Sequence, residues 1–187
     1  MKRIISTLVF GAFVLLGPCV PAQAEPPGQF TSQEIIQAGH RFFGGVSSSL
    51  AQLVEYSVSH WGHPTAYILG EEGSGAFVGG LRYGEGTLIQ KGGPSLKIYW
   101  QGPSVGFDFG GDGDRVMMLV YSVRDPQQLL RRFAGISGSA YLIGGLGLTA
   151  LGADNLVVVP IRSGLGARLG ANIGYLKFTD QPTWNPF

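Results

Sequence analysis

Between residues 70 and 86 the chain reads GEEGSGAFVGGLRYGEG, with seven glycines in seventeen positions. This density excludes a long helix there, because each glycine inside a helix costs about 1 kcal/mol relative to alanine. It leaves three readings: a loop that cradles phosphate, a flexible linker, or a tightly bent sheet. The same texture continues to the end of a 187-residue chain that holds 31 glycines in all. From Pro64 onward, short runs of Val, Ile, Leu, Tyr and Phe alternate with Gly, Asp and Pro.

Those runs predict strands over residues 66–70, 75–83, 86–90, 96–101, 105–109, 115–122, 138–145, 146–151, 156–162, 165–170 and 173–178. Many short strands at regular spacing point to an antiparallel barrel or sandwich. Small barrels close only with sharp bends, which glycine supplies within a strand. The expected fold class is therefore mainly β (α+β): a small, glycine-rich antiparallel β-barrel spanning residues 65–187.

The ligand-loop readings fail on spacing. A dinucleotide fingerprint needs G-x-G-x-x-G/A between a strand and a helix. Gly73-Ser74-Gly75 is followed at the third position by Val78, and Gly84-Glu85-Gly86 by Ile89. Gly145-Leu146-Gly147-Leu148-Thr149-Ala150 matches in letters, but a turn, Gly152-Ala153-Asp154-Asn155, follows where the helix should be. No Gly-Lys pair precedes a hydroxyl residue, so a P-loop is absent, and Gly135-Ile136-Ser137-Gly138-Ser139 lacks the last glycine of a hydrolase elbow. No cofactor is expected.

The N-terminus carries a different signal. Lys2 and Arg3 precede an apolar run over residues 4–16, and Ala22-Gln23-Ala24 forms an A-x-A cleavage site. This is the pattern of a secretory signal peptide over residues 1–24, with cleavage after Ala24. Cys19 is the only cysteine; Pro18 before it argues against lipid attachment, and cleavage leaves a chain without thiols that must rely on packing. Residues 25–30 read as a short disordered lead-in. Loss of Lys2 and Arg3 takes the formal charge from +1 to −1, and no basic stripe suggests nucleic acid.

Thr31 and Glu34 form a capping box, flanked by Phe30 and Ile35 at the staple positions. Apolar residues then recur at Ile35, Phe42, Val46, Leu50, Leu53 and Trp61, which predicts an amphipathic helix over 31–62 with a break near Gly44. A second, short helix is expected over 126–133, capped by Asp125 with Pro126 at its first position. Two prolines and two aromatics in residues 180–187 suggest a tail that packs onto the barrel.

Two clusters invite a metal reading. Asp108, Asp112 and Asp114 lack calcium-loop spacing. His60 and His63 have only His40 as a further histidine. Neither makes a metal site by spacing.

Beyond these arguments, blocks of the sequence are familiar. GHRFFGGVSSSLA (39–51), AYILGEEGSGAFVGGLRYGEGTL (66–88), YWQGPSVGFDFGGDGDRVMMLVY (99–121), RFAGISGSAYLIGGLG (132–147), VPIRSGLGARLGANIGYLKFT (159–179) and the closing PTWNPF resemble, in collinear order, the bacterial envelope integrity protein A family. The resemblance implies a small soluble periplasmic β-barrel with a helix, a role in envelope maintenance and stress resistance, and no assigned catalytic residues. A weaker resemblance, in YGEG (83–86), the VMMLV strand and the basic VPIRSGLGA segment, is to the SYLF lipid-binding domain. That domain binds lipid through a basic helix, whereas here only Arg41 lies between Glu34 and Trp61.

Three functions follow as expectations. The first is a non-enzymatic envelope protein that binds a lipid, glycan or protein. Tyr83, Tyr99, Trp100 and Trp184 would offer an amphipathic contact face, Arg82, Arg115 and Arg162 bidentate forks for phosphate or carboxylate, and Glu85 a further polar contact. The second is a SYLF-like lipid-binding protein at the membrane surface. The third is an enzyme acting on envelope glycans, with Glu71, Glu72 and Glu85 as the carboxylate pool that glycoside hydrolysis needs.

Overall fold

The computed structural model describes residues 28–45, 47–75, 81–103, 114–137, 139–163 and 174–185. The expected signal peptide, residues 25–27 of the lead-in, the strands at 105–109 and 165–170, and Asp108 and Asp112 lie outside the described residues.

The helical region begins as the capping box requires. Thr31 Oγ1 accepts from the Glu34 backbone N–H (3.2 Å), and the Glu34 carboxylate accepts from the Thr31 N–H (2.9 Å). The helix is not continuous over 31–62: α1 spans Ser32–Phe43 and α2 spans Ser48–Trp61. Gly44 ends α1 with φ 82°, a left-handed conformation that glycine adopts without strain. Ser47 then caps α2, its Oγ accepting from the Leu50 N–H. Phe30 is ordered rather than part of a disordered lead-in: its N–H donates to Pro64 O (2.8 Å) and its ring meets Tyr67 edge-on.

Among the described residues ten strands follow: β1 Ala66–Gly75, β2 Leu81–Gln90, β3 Leu96–Pro103, β4 Asp114–Tyr121, β5 Arg132–Gly135, β6 Tyr141–Ile143, β7 Leu146–Leu148, β8 Leu151–Ala153, β9 Leu156–Ser163 and β10 Tyr175–Thr179. They pair antiparallel in the order β4-β1-β2-β3-β10-β5-β8-β9, and β9 pairs back onto β4 to close an eight-strand barrel. β7 and β6 extend from the far edge of β9 as a small flap. The barrel and its two helices agree with the expected α+β class. Where a helix is expected over 126–133 there is a single 3₁₀ turn, Pro126–Leu129, and Phe133 already belongs to β5. The Asp125 cap forms, but Phe133 is drawn into the barrel core, so tertiary burial ends the helical pattern early.

Alternation of side chains makes two cores. Ile68, Leu88, Ile98, Trp100, Val116, Met118, Val120, Val158, Leu176 and Phe178 fill the barrel interior. Met117, Leu119, Tyr121, Val159 and Ile161 face outward and bury Ile35, Leu50, Leu53 and Val54 of the helices. β4 and β9 are therefore covered on both faces, which is why VMMLVY and LVVVPI read as nearly continuous apolar runs.

The sequence breaks expected inside residues 66–90 do not occur. β1 and β2 are two unbroken ten-residue strands that pair from Ala66–Gln90 to Gly75–Leu81. The reason is Trp100. An added Cβ at Gly84 would fall inside its indole, and one at Gly70 would strike both that indole and the backbone of β2. These glycines do not end strands; they open the space in which the largest interior side chain sits.

Candidate functional site

At one end of the barrel interior a carboxylate meets two guanidinium groups. Glu72 on β1, Arg82 on β2 and Arg162 on β9 all point inward and are buried. Arg82 Nη1 donates to Glu72 Oε1 (3.0 Å) and Arg162 Nη2 to Oε2 (3.2 Å); Arg162 Nε also donates to Oε1. Trp100 Nε1 adds a fourth hydrogen bond, to Oε2 (3.1 Å). Burial by itself would raise the Glu72 carboxyl. The charges of Arg162 and Arg82, with the Arg162 and Trp100 hydrogen bonds, overcome it and hold the group below the usual carboxylate range.

This arrangement revises three of the expected contact residues. Arg82 and Arg162 are not forks held out to a ligand's phosphate, because both are turned into the barrel onto Glu72. Trp100 is not on a contact face; its ring is fully buried. Arg115, the remaining arginine, directs Nη1 to the Phe42 carbonyl (2.9 Å) and lies over the Phe42 ring, which fastens β4 to α1.

The other candidates do come together, on the outer face of β1, β2 and β3. Register places Glu71, Glu85 and Tyr99 in one row across the strands, and Gly73, Tyr83 and Gln101 in the next. Residues 182–184 of the tail lie beside them and complete a cleft of about 340 Å³. Its walls include Tyr83, Tyr99 and Trp184, with Glu71 and Glu85 at one side. The tail is held by Tyr83 OH, which donates to the Trp184 carbonyl (2.9 Å), and by Lys177 Nζ on the Asn185 carbonyl (3.3 Å). It packs down as expected, with one correction: the Trp184 indole meets the Tyr83 ring edge-on yet is 85% exposed. With Tyr83 and Tyr99 beside it, the ring adds exposed aromatic surface to the cleft.

Lys97 reaches this site from β3. Its ammonium donates to Glu85 Oε1 (2.9 Å) and lies 5.7 Å from the Tyr99 ring centre, and the Glu85 hydrogen bond raises it above the usual lysine range. Glu71 has no ion-pair partner among the described residues. Among the described residues no Lys or Arg lines the cleft itself. Lys97 carries no sequence signal, and the tail, legible in sequence as a packed segment, is brought to this face by the pairing of β10 with β3. The described residues contain no group of three His, Cys, Asp or Glu placed to hold a metal ion. No helix among them is long and apolar enough to cross a membrane.

The comparisons with known proteins agree with this architecture. The crystal structure of a beta-barrel-like, uncharacterized protein from Brucella abortus superposes with a TM-score of 0.82 at 57% identity, covering 86% of this chain and 99% of that one. A search of curated proteins finds no match. The family model described as envelope integrity protein A matches residues 28–187, the whole barrel and both helices, and the chain belongs to that family.

Proposed function

We propose that this protein is a non-enzymatic periplasmic factor that supports the cell envelope by binding an envelope component in the cleft between the β2–β3 face and the C-terminal tail. The observation that carries the reading is Trp184: a backbone anchored by Tyr83 holds the indole 85% exposed at the rim of a cleft that two tyrosines also line. Aromatic side chains offer large contact area at low entropic cost, and exposed ones concentrate at binding surfaces. Membership of the envelope integrity protein A family supports a role in the envelope. The signal-peptide pattern of residues 1–24 supports export to the periplasm. The buried Glu72 cluster, in this reading, fixes the end of the barrel beneath the cleft and takes no part in chemistry.

A photo-crosslinking residue at position 184, introduced in intact cells, tests the proposal against the same residue at the exposed position 124. The expected result is a discrete adduct from 184 and none from 124. Trp184→Ala, expressed at the wild-type level in a deletion strain, is expected to leave the strain sensitive to envelope stress. Full rescue by that variant would overturn the reading.

A further inference from the structure

The cleft has a definite charge character. Glu71 and Glu85 are directly opposed on neighbouring antiparallel strands, which sets their Cβ atoms about 5 Å apart. Two like charges so placed disfavour the sheet unless a cation lies between or beside them. Lys97 serves Glu85. Arg115 is Glu71's neighbour on β4, but it makes no ion pair with Glu71 within 4 Å; its Nη1 donates to the Phe42 carbonyl on the α1 side. Beside Glu71 along β1 is Gly73, where an added Cβ would meet nothing within 4 Å. Among the described residues Gly73 thus leaves a gap in the outer row, bounded by Glu71 and by Tyr83, its partner on β2, with Trp184 beyond.

The chain itself demonstrates what such a setting accepts. On the Glu85 side, a carboxylate and a tyrosine face hold the Lys97 ammonium. The Glu71 side offers the same pair of groups, with Tyr83 and Trp184 as the aromatic surface and, among the described residues, no side chain in the place that the Lys97 stem takes. An ammonium gains from both, through a charge-assisted hydrogen bond and through the negative face of the ring.

We propose that the gap over Gly73 binds a primary ammonium group, seated on Glu71 against Tyr83 and Trp184. This assignment rests on the reading of the cleft as a binding site and names the chemistry of its occupant. The ammonium could be carried by an amino sugar or by a lysine-type side chain, and the two are separated by probe.

Titration of the full mature protein, followed by chemical-shift changes of the tryptophan indole N–H groups, uses four probes: glucosamine, N-acetylglucosamine, Nα-acetyl-lysine methylamide and its Nε-acetylated form. At least one free amine is expected to bind at least tenfold tighter than its acetylated counterpart, and the tighter amine identifies the source. Glu71→Gln is expected to weaken that amine about tenfold, and Gly73→Val to abolish its binding while the fold is retained. Lys97→Met, which removes the resident ammonium, is expected to tighten it several-fold by releasing Glu85. Equal binding of acetylated and free probes overturns the ammonium assignment but leaves the cleft as a ligand site. Absence of binding by every probe into the high millimolar range also overturns it, while crosslinking from position 184 independently decides whether the cleft binds anything.

Discussion

Glu72 keeps its charge inside the barrel because four donors from Arg82, Arg162 and Trp100 converge on one carboxylate. Breaking a buried ion pair from one side costs about 3–5 kcal/mol, since the partner charges stay buried without compensation. Glu72→Gln is therefore expected to lower the unfolding free energy by about 3 kcal/mol or more, as measured by urea denaturation; a loss below about 1 kcal/mol would show the cluster to be solvated. The pH dependence has a defined sign. The Glu72 carboxyl is lower in the folded protein than in the unfolded chain, where it lies at about 4.3. Its stabilisation is complete above about pH 4.3 and is lost as pH falls through the lower folded value. Wild-type protein should show this acid-side loss, and the Gln variant should lack that component. At this scale the sequence was only partly legible. Glu72, Arg82 and Arg162 were each visible as candidates, but as separate surface groups: 10 and 90 residues separate Glu72 from its two partners. No local spacing encodes a contact made across the interior of a closed sheet.

At the scale of elements, local chemistry and packing divide the control. The Thr31–Glu34 box and Gly44 set the ends of α1, and both could be read from the sequence because capping is a contact between near neighbours. By propensity alone Gly39 would weaken α1 by about 1 kcal/mol relative to alanine, but packing gives it a different role. An added Cβ there would meet Leu50 Cδ2 at 2.5 Å and Met117 Sδ at 3.1 Å, so the glycine lets α1 lie closely on α2 and on β4. Gly39→Ala should for this reason bring no net stabilisation, although helix propensity alone would favour it by about 1 kcal/mol. A thermal or denaturant midpoint raised by that amount would show that the contact is loose. The strands divide in the same way. β4 and β9 were legible as apolar runs, whereas β1 and β2 were not legible as continuous, because glycine usually marks a strand's end. Here it marks the volume of Trp100.

For the whole molecule, closure of the barrel determines where stability resides. β1 is paired with β2 and β4, and β4 with β1 and β9, over most of their lengths. Among the described residues β6 pairs only with β7, through three residues, and carries Leu142 exposed at the edge. Native-state hydrogen exchange should find the slowest amides in the middle of β1 and β4, opening only with global unfolding, and those of β6 exchanging far faster through local opening. Equal protection of β6 and β4 would contradict this gradient. The sequence by itself determined the helix caps, the break at Gly44, the α+β class and the failure of every phosphate-loop spacing. All of these depend on residues a few positions apart, where propensity, periodicity and hydrogen-bond reach act directly. Only the tertiary structure decided that Arg82, Arg162 and Trp100 face inward onto Glu72, and that Glu71, Tyr83, Glu85 and Trp184 share one cleft. Those groupings depend on strand order and register, and a register change of one residue exchanges the inner and outer faces of a strand.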